Sequence, residues 1–492
     1  MRRKFITNII LLLSLNFLIK PFWVLGIDRT VQNVVGPAEY GFYFAIFNFT
    51  FILQMFLDMG ITNFNNRNIA QNTHLLTKHF SAIIIMRFLF AIIYMLTIMS
   101  IGYLIGYQTR QLWFLFIIGI NQFLLALILY LRSNISALLL FKVDSMLSVL
   151  DRLFMILICS VLLWGNIPNF RFTIKWFIYA QTLAYCLTAL IAFFIVINKT
   201  VNLKLNWNPA FFSMVIKKSW PYAVLVFLMS MYSRIDSFLI ERILPDGAVQ
   251  AGIYASAFRL FDVANNMSGV LFAALLLPIF SKMIKQKKDL NQMIKLPFTL
   301  LFIVSVGMAI AATFYGENIM NYLYHPYAEE SASQYLARTQ LSTKVLVILM
   351  FTYIATSFTY IFGTLLTANG SLSKLNKVAF VGVIISLVLN FWLIPKYSSP
   401  GSAWAALSAQ WITALLQIYL AFKLLKIKFE SSYLMRLFIF IILTIISAFF
   451  SNYINVQWHW QLAIMAILVI FVALVLKLLN LRLFFSILKT EE

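Results

Sequence analysis

Apolar positions along this chain neither alternate nor keep to one stripe; they run on. Stretches of about 20 residues recur from "IILLLSLNFLI" near the start to "AIMAILVIFVALVL" near the end, the length a helix needs to cross a ~30 Å hydrocarbon core. The pattern predicts about fourteen spanning helices, at residues 8–27, 41–58, 81–105, 112–131, 146–164, 176–197, 219–240, 252–279, 297–315, 345–367, 378–394, 402–422, 437–454 and 460–476. In lipid each backbone N–H and C=O must be satisfied within its own segment, so uninterrupted runs of this kind are helices. The predicted fold class is an all-α polytopic membrane protein. The opening "MRRKFITNIILLLSLNFLIK" has a basic start and an apolar stretch, but no small-residue cleavage site follows, and it reads as the first span.

Composition agrees with the pattern. Hydrophobic residues make up 62% of the 492 and charged ones 11%, against about 25% charged in an average soluble chain. Cys159 and Cys186 both fall in apolar runs, so neither a disulfide framework nor a metal-ligand spacing is present, and no cofactor is expected. The formal charge of +22 raises the question of nucleic acid, which its distribution answers. If the first residues are cytoplasmic, Lys and Arg between spans favour that side by roughly threefold, as the positive-inside rule requires. Both termini are then cytoplasmic. Clusters such as "SKMIKQKKDL" and "KLLKIKF" face anionic headgroups. The basic balance thus reads as topology, with membrane lipids and not nucleic acid as its partner.

The chain also repeats itself. "LGIDRTVQNVVGPAEYGFYFAIF" at 25–47 and the segment from "RIDSFLIERILPDGAVQAGIYASAF" both carry Ile-Asp near the outer end of a span, at Ile27-Asp28 and Ile235-Asp236. In each a proline follows nine residues after the aspartate, Pro37 and Pro245, and Gly-x-Tyr-x-x-x-Phe opens the next span, as Gly41, Tyr43, Phe47 and Gly252, Tyr254, Phe258. The copies begin spans 1 and 7, as duplication of a six-helix unit requires. The expected organisation is an N-terminal lobe at 1–200, a C-terminal lobe at 216–427 and an appended hairpin with a cytoplasmic tail at 434–492, with 198–218 as linker. Internal duplication suits a transporter, whose halves rock about a site between them. It speaks against an enzyme: the longest outer loop, 316–344, carries Glu317, Glu329, Glu330 and His325 at no spacing specific to any chemistry.

Charges inside spans are the candidate chemistry. An ionised side chain at mid-span costs about 2.5–3.5 kcal/mol on insertion scales, so it is buried in protein or faces a water-filled cavity. Lys20, Arg234 and Arg259 are placed by the predicted boundaries roughly 10 Å below the outer surface, a common cationic level. Asp262 lies one turn from Arg259 and suits an i,i+3 pair, whereas Arg234 and Asp236 point to nearly opposite sides of their helix. A purely structural account competes: Lys20 snorkels, Asp262 neutralises Arg259, and Arg234 pairs across helices with Asp28 or Asp58. Arg87, Asp151 and Arg152 fall near predicted cytoplasmic ends, where snorkelling is the default. A cationic, wet cavity suits an organic anion, since arginine offers a fixed fork to phosphate oxygens.

"GPAEYGFYFAIFNFTFILQMFLDMGITNFNNRNIA", the second-copy block with "LLLPIFSK", and "LTANGSLSKLNKVAFVGVIISLVLNFWLIPKYSSPGSAWAALSAQ" resemble blocks of bacterial polysaccharide (O-antigen, Wzx-type) flippases of the multidrug/oligosaccharidyl-lipid/polysaccharide (MOP) exporter superfamily. The likeness covers most of residues 5–427. It implies two six-helix lobes in a V, with spans 1, 2, 7 and 8 lining a central cavity and no cofactor. Its implied cargo is an oligosaccharide repeat unit on undecaprenyl diphosphate, moved from the cytoplasmic to the periplasmic leaflet of the inner membrane by alternating access. On this resemblance Lys20, Arg234 and Arg259 are the candidates for the diphosphate, with Arg29, Arg87 and Arg152 secondary. Asp28, Asp58, Asp236 and Asp262 are candidates for coupling to H+ or Na+. Contact with a polysaccharide polymerase and glycosyltransferases is a further implied partnership. "KYSSPG" departs from the pattern by lacking a glycine soon after the tyrosine. A lipid II flippase and a multidrug or organic-cation antiporter of the same superfamily, and from another class a membrane-embedded glycan polymerase, are the competing functions.

Overall fold

The computed structural model describes residues 14–62, 75–138, 140–199, 209–286, 290–327 and 330–479. The termini, residues 200–208 of the expected linker at 198–218 and Glu329 therefore lie outside the described residues. Among the described residues the regular structure is helical throughout. In chain order the helices are α1 (14–22), continued by a π-helical turn Trp23–Asp28, then α2 (Arg29–Ile52), α3 (Met55–Asp58), α4 (Leu75–Leu104), α5 (Thr109–Ala137), α6 (Phe141–Trp164), α7 (Ile174–Ile197), α8 (Pro209–Arg234), α9 (Asp236–Ile243), α10 (Gly247–Lys285), α11 (Asn291–Leu323), α12 (Ala332–Ala368), α13 (Leu372–Leu425), α14 (Ser431–Tyr453) and α15 (Trp458–Val475). Among the described residues nine helices are long and apolar enough to cross a membrane, or ten when the bent pair Ser219–Arg234 and Asp236–Ile243 counts as one span.

Two predicted loops are helical instead. Residues 28–40 continue the first span, and the chain breaks only at Gly36, with φ of 79°, before Pro37 starts the next helix. Residues 395–401 likewise stay helical apart from Ser398, with φ of 54°, two residues before Pro400. Proline suits a helix start, where its missing N–H has no partner to lose. Polar residues that end a hydropathy run are satisfied here by neighbours on or beside their own helix: Gln32 donates to Asp28 at 3.2 Å and Tyr40 donates to it at 2.8 Å. The helix therefore continues where the apolar pattern stops.

The chain divides into two compact units, one of Met1–Ser256 with Asn390–Ser398 and the other of Ala257–Leu389 with Ser399–Glu492. In the first unit, α2 packs against α5, α7, α8 and α9, and α5 against α4, α6 and α7. Its core includes Phe80, Tyr130, Ile83, Met86, Ile135 and Val196 in one apolar cluster. Within this unit two backbones touch. A Cβ on Gly41 would stand 2.0 Å from the Ala248 carbonyl oxygen, and one on Gly252 would stand 2.1 Å from that of Pro37. Pro37 and Ala248 each lie four residues before their glycine, so the repeats meet reciprocally, as two copies do about a twofold axis.

In the second unit α11 packs on α12, and the α14–α15 hairpin packs on α11. Lys295 pairs with Glu430 at 2.8 Å, Thr299 with Tyr433 at 2.7 Å and Tyr315 with Ser451 at 2.7 Å. The three ties advance together along both segments, so α11 and α14 run parallel in fixed register. Near the first two ties, Phe298, Phe302, Phe358, Phe429 and Phe440 form a connected aromatic cluster.

Candidate functional site

The duplicated aspartates are the most enclosed carboxylates of the first unit. Asp28 is 0% exposed and accepts from Tyr40 at 2.9 and 2.8 Å and from Gln32. Asp236 is 1% exposed and accepts from the Tyr254 hydroxyl and the Asn390 amide, each at 3.0 Å. Each copy thus bonds its aspartate to a tyrosine of the following helix, although not at the aligned position. Tyr254 belongs to the repeated motif, but its counterpart Tyr43 accepts instead from Gln181 at 2.8 Å.

Arg234 ends α8 one residue before the bend at Ile235. Its guanidinium reaches Asn48 at 3.4 Å and lies over the Phe51 ring at 4.7 Å, both on α2. Asn48 also donates to Ser237 at 2.9 Å, so one buried amide touches both sides of the bend.

Within the first unit Lys20 and Arg234 do not keep the expected common level. Because the first span continues to Gly36, Lys20 lies sixteen residues from that break, about 24 Å of rise. Aligning the copies on Ile-Asp puts Lys20 six residues further from the repeated aspartate than Arg234. In the second unit Arg259 stands twelve residues after Gly247 on α10, with Asp262 one turn on; both side chains are half-buried and partnered.

The secondary cations separate. Arg87 does not snorkel: it is 1% exposed, bonded to Asp58 at 2.6 Å, to Thr62 at 2.8 Å and to the Ala126 carbonyl at 3.2 Å, and it lies over Tyr130 at 4.6 Å. Neighbouring helices supply a carboxylate and carbonyls nearer than any headgroup. Arg152 does not sit near a cytoplasmic end either. α6 starts at Phe141 and ends at Trp164, which makes Arg152 its midpoint, and the side chain remains 28% exposed. It reaches Tyr185 at 3.4 Å and Asp151 at 3.6 Å and lies over Trp23 at 5.7 Å. Arg29 follows Asp28 at the start of α2, half-buried, and its Nε has no partner among the described residues.

Sequence pattern marks the charges but not the groups that hold them. Asn48, Trp23 and Tyr185 stand inside apolar runs and carry no charge, so no signal distinguishes them from core. Among the described residues no group of three His, Cys, Asp or Glu side chains is arranged to hold a metal ion.

Long apolar helices, an internal repeat and charges enclosed inside spans define a multi-pass membrane protein, and its fold is that of MOP-superfamily transporters. The chain resembles the lipid II flippase MurJ in an inward closed conformation over 95% of its own length and 98% of MurJ, with 15% identity and a TM-score of 0.72. A MOP-superfamily transporter from Pyrococcus furiosus matches over 86% of this chain and 95% of its own, at 12% identity and a TM-score of 0.64. An inward-facing multidrug transporter of the MATE family matches over 85% and 98%, at 13% identity and a TM-score of 0.61. Identity at this level shows the fold alone. The chain belongs to the polysaccharide biosynthesis protein family, whose sequence model matches residues 5–284. The capsular polysaccharide biosynthesis protein CapF of Staphylococcus aureus is 26% identical over 237 residues, which are 46% of this chain and 54% of CapF, so the match spans about half of that relative.

Proposed function

We propose that this protein is a flippase that moves an undecaprenyl-diphosphate-linked oligosaccharide, a repeat unit of O-antigen or another surface polysaccharide, from the cytoplasmic to the periplasmic leaflet of the inner membrane. The lobes at 1–200 and 216–427 alternate access, the hairpin at 434–492 is an appendage, and both termini are cytoplasmic. The supporting observation is the contrast among intramembrane cations in a chain of the polysaccharide biosynthesis family. Arg87 is enclosed, whereas Lys20, Arg152, Arg234 and Arg259 all keep part of their side chains exposed. Exposure of a charge inside a span is stable only toward water or a polar ligand, and guanidinium forks match diphosphate oxygens. Asp28 and Asp236 are the proposed sites of coupling to H+ or Na+, because each is a buried carboxylate with neutral donors around it that a cation or proton reorganises. Asp58, held by Arg87, serves structure in this scheme.

The test is periplasmic delivery of lipid-linked glycan in cells carrying Arg234→Ala, Arg259→Ala or both. Each single change is expected to lower delivery about tenfold at normal protein level, and the pair to abolish it. Undiminished delivery by the double variant overturns the cationic-site proposal.

A further inference from the structure

The reciprocal glycine contact in the first unit is accompanied by one that is not reciprocal. α9 belongs to the second copy of the repeat, yet it groups with the first unit and packs on α2: Phe238 stacks on Phe49 at 4.9 Å, and Ser237 accepts from Asn48 at 2.9 Å. Near the end of α9, Arg242 crosses to the first copy. Its Nη1 donates to the Ile105 carbonyl at 3.2 Å, and its guanidinium lies over the Tyr107 ring at 4.1 Å. Ile105 follows the last residue of α4, and Gly106, with φ of 82°, turns the chain away there. Carbonyls at a helix C-terminus have no partner within the helix and carry its partial negative charge, so a guanidinium suits them. Aligning the copies on Ile-Asp puts Val34, 51% exposed, where Arg242 stands. Valine has no donor to offer, so the first copy has no counterpart of this cap at that position.

We propose that Arg242 is a releasable latch between the two copies, which holds α9 on the end of α4 and sets how often this end of the first unit opens. The proposal rests on the alternating access of the function above. The placement of the charges makes the contact releasable. Glu241 accepts from Arg242 at 2.6 and 3.0 Å, and the two residues are adjacent on α9. The ion pair therefore travels with α9. Separation takes from the arginine a neutral carbonyl and an aromatic face, for which water substitutes, and it strands no charge. The Arg242 side chain is 25% exposed even when docked, and an exposed charge is stable only toward water or polar groups. Arg87 is the opposite case: its carboxylate Asp58 lies on another helix, so parting those helices leaves two charges without each other. One arginine contact is built to stay and the other to let go.

The test reads opening directly. The full-length protein in nanodiscs, carrying Cys186→Ala and Ser237→Cys, is labelled with a maleimide. Ser237 is 1% exposed on α9, so the labelling rate at position 237 reports how often α9 leaves α2, and the native Cys159, at 0%, reports global opening in the same molecule. Arg242→Gln is expected to raise the rate at position 237 about tenfold while Cys159 stays unlabelled. Arg242→Lys, which keeps the charge but loses the fork and its stacking, is expected to fall between; it also provides a measurement if the glutamine variant fails to fold. Val34→Ala, at the matching position of the first copy, is expected to leave the rate unchanged. A rate in Arg242→Gln within twofold of the parent overturns the latch, and so does labelling of Cys159 in step with position 237. No cargo enters this measurement, so either result leaves the flippase function standing, and a failure of the glycan-delivery test leaves the latch measurable.

Discussion

Arg87 and Arg152 are the same residue type in spans of the same unit, and their surroundings differ: Arg87 is 1% exposed and Arg152 28%. Arg87 has a carboxylate, a hydroxyl, backbone carbonyls and an aromatic face within reach, and of its nitrogens the buried Nε alone is without a partner among the described residues. Removing one member of such a pair strands the other. Arg87→Leu is therefore expected to destabilise the protein by about 3–5 kcal/mol, toward the lower figure because Asp58 keeps 31% exposure and its charge is partly screened. Combining it with Asp58→Leu is expected to recover part of the loss, since the double change leaves no uncompensated charge. Thermal unfolding of the detergent-solubilised variants reads both values. A double variant that loses as much as the sum of the singles would show that Arg87 acts through groups other than Asp58. Among titrating groups outside the spans, Glu430 has its carboxyl held below the usual carboxylate range by the hydrogen bond and the charge of Lys295. The depressed folded-state pKa means that the tie helps dock α14 on α11 above the ordinary carboxylate range and is lost as pH falls through the lower value. Lys295→Gln is expected to remove that acid-side dependence, measurable as amide exchange at the start of α14 as a function of pH. The effect is small, because Glu430 is solvent-exposed.

The lengths of helices, more than their existence, separate sequence pattern from structure. Hydropathy placed the last two spans at 437–454 and 460–476, and α14 and α15 occupy Ser431–Tyr453 and Trp458–Val475, because these helices face lipid over much of their surface and carry few charges. The first span ended too early on the same reasoning. Asp28 looks like an exit from the membrane to any scale that treats it alone, and only the positions of Tyr40 and Gln32 show that it stays enclosed. The position of Arg152 differs for a related reason: "FKVDSM" is polar enough to resemble a loop, yet Asp144 pairs with Arg132 at 2.8 Å and the helix begins at Phe141. The repeat, by contrast, was legible down to its glycines, whose pairing shows why they are glycines. At Gly41 and Gly252 the opposing atoms are backbone, which no rotamer change relieves. Gly41→Ala and Gly252→Ala are each expected to cost at least about 3 kcal/mol, above the usual range for overpacking, or to force α2 and α10 apart. Folded yield and melting temperature in detergent check this; a silent alanine at either position would mean that the helices separate freely there.

For the molecule as a whole, the charge asymmetry makes a topological claim that the helix order makes testable. With the first residues cytoplasmic, the turns after α4, α6, α9, α11 and α14 face the periplasm, and those after α5, α12 and α13 face the cytoplasm. The short connections carry the bias: Lys374, Lys377, Lys423, Lys426 and Lys428 cluster around the inner ends of α12, α13 and α14, where anionic headgroups attract them by about 1 kcal/mol each. At the other ends cations pair locally, Arg110 with Glu39 at 2.6 Å and Arg338 with Glu330 at 2.7 Å. In a background with Cys159 and Cys186 replaced by alanine, Asn169→Cys, an exposed position in the turn after α6, is expected to react with a membrane-impermeant maleimide in intact spheroplasts. Lys428→Cys, exposed between α13 and α14, is expected to react only after the membrane is opened. The reverse pattern would invert the protein, and with it the direction in which a lipid-linked glycan crosses. Labelling of both cysteines in intact spheroplasts would show instead that the bias of these clusters does not fix a single orientation.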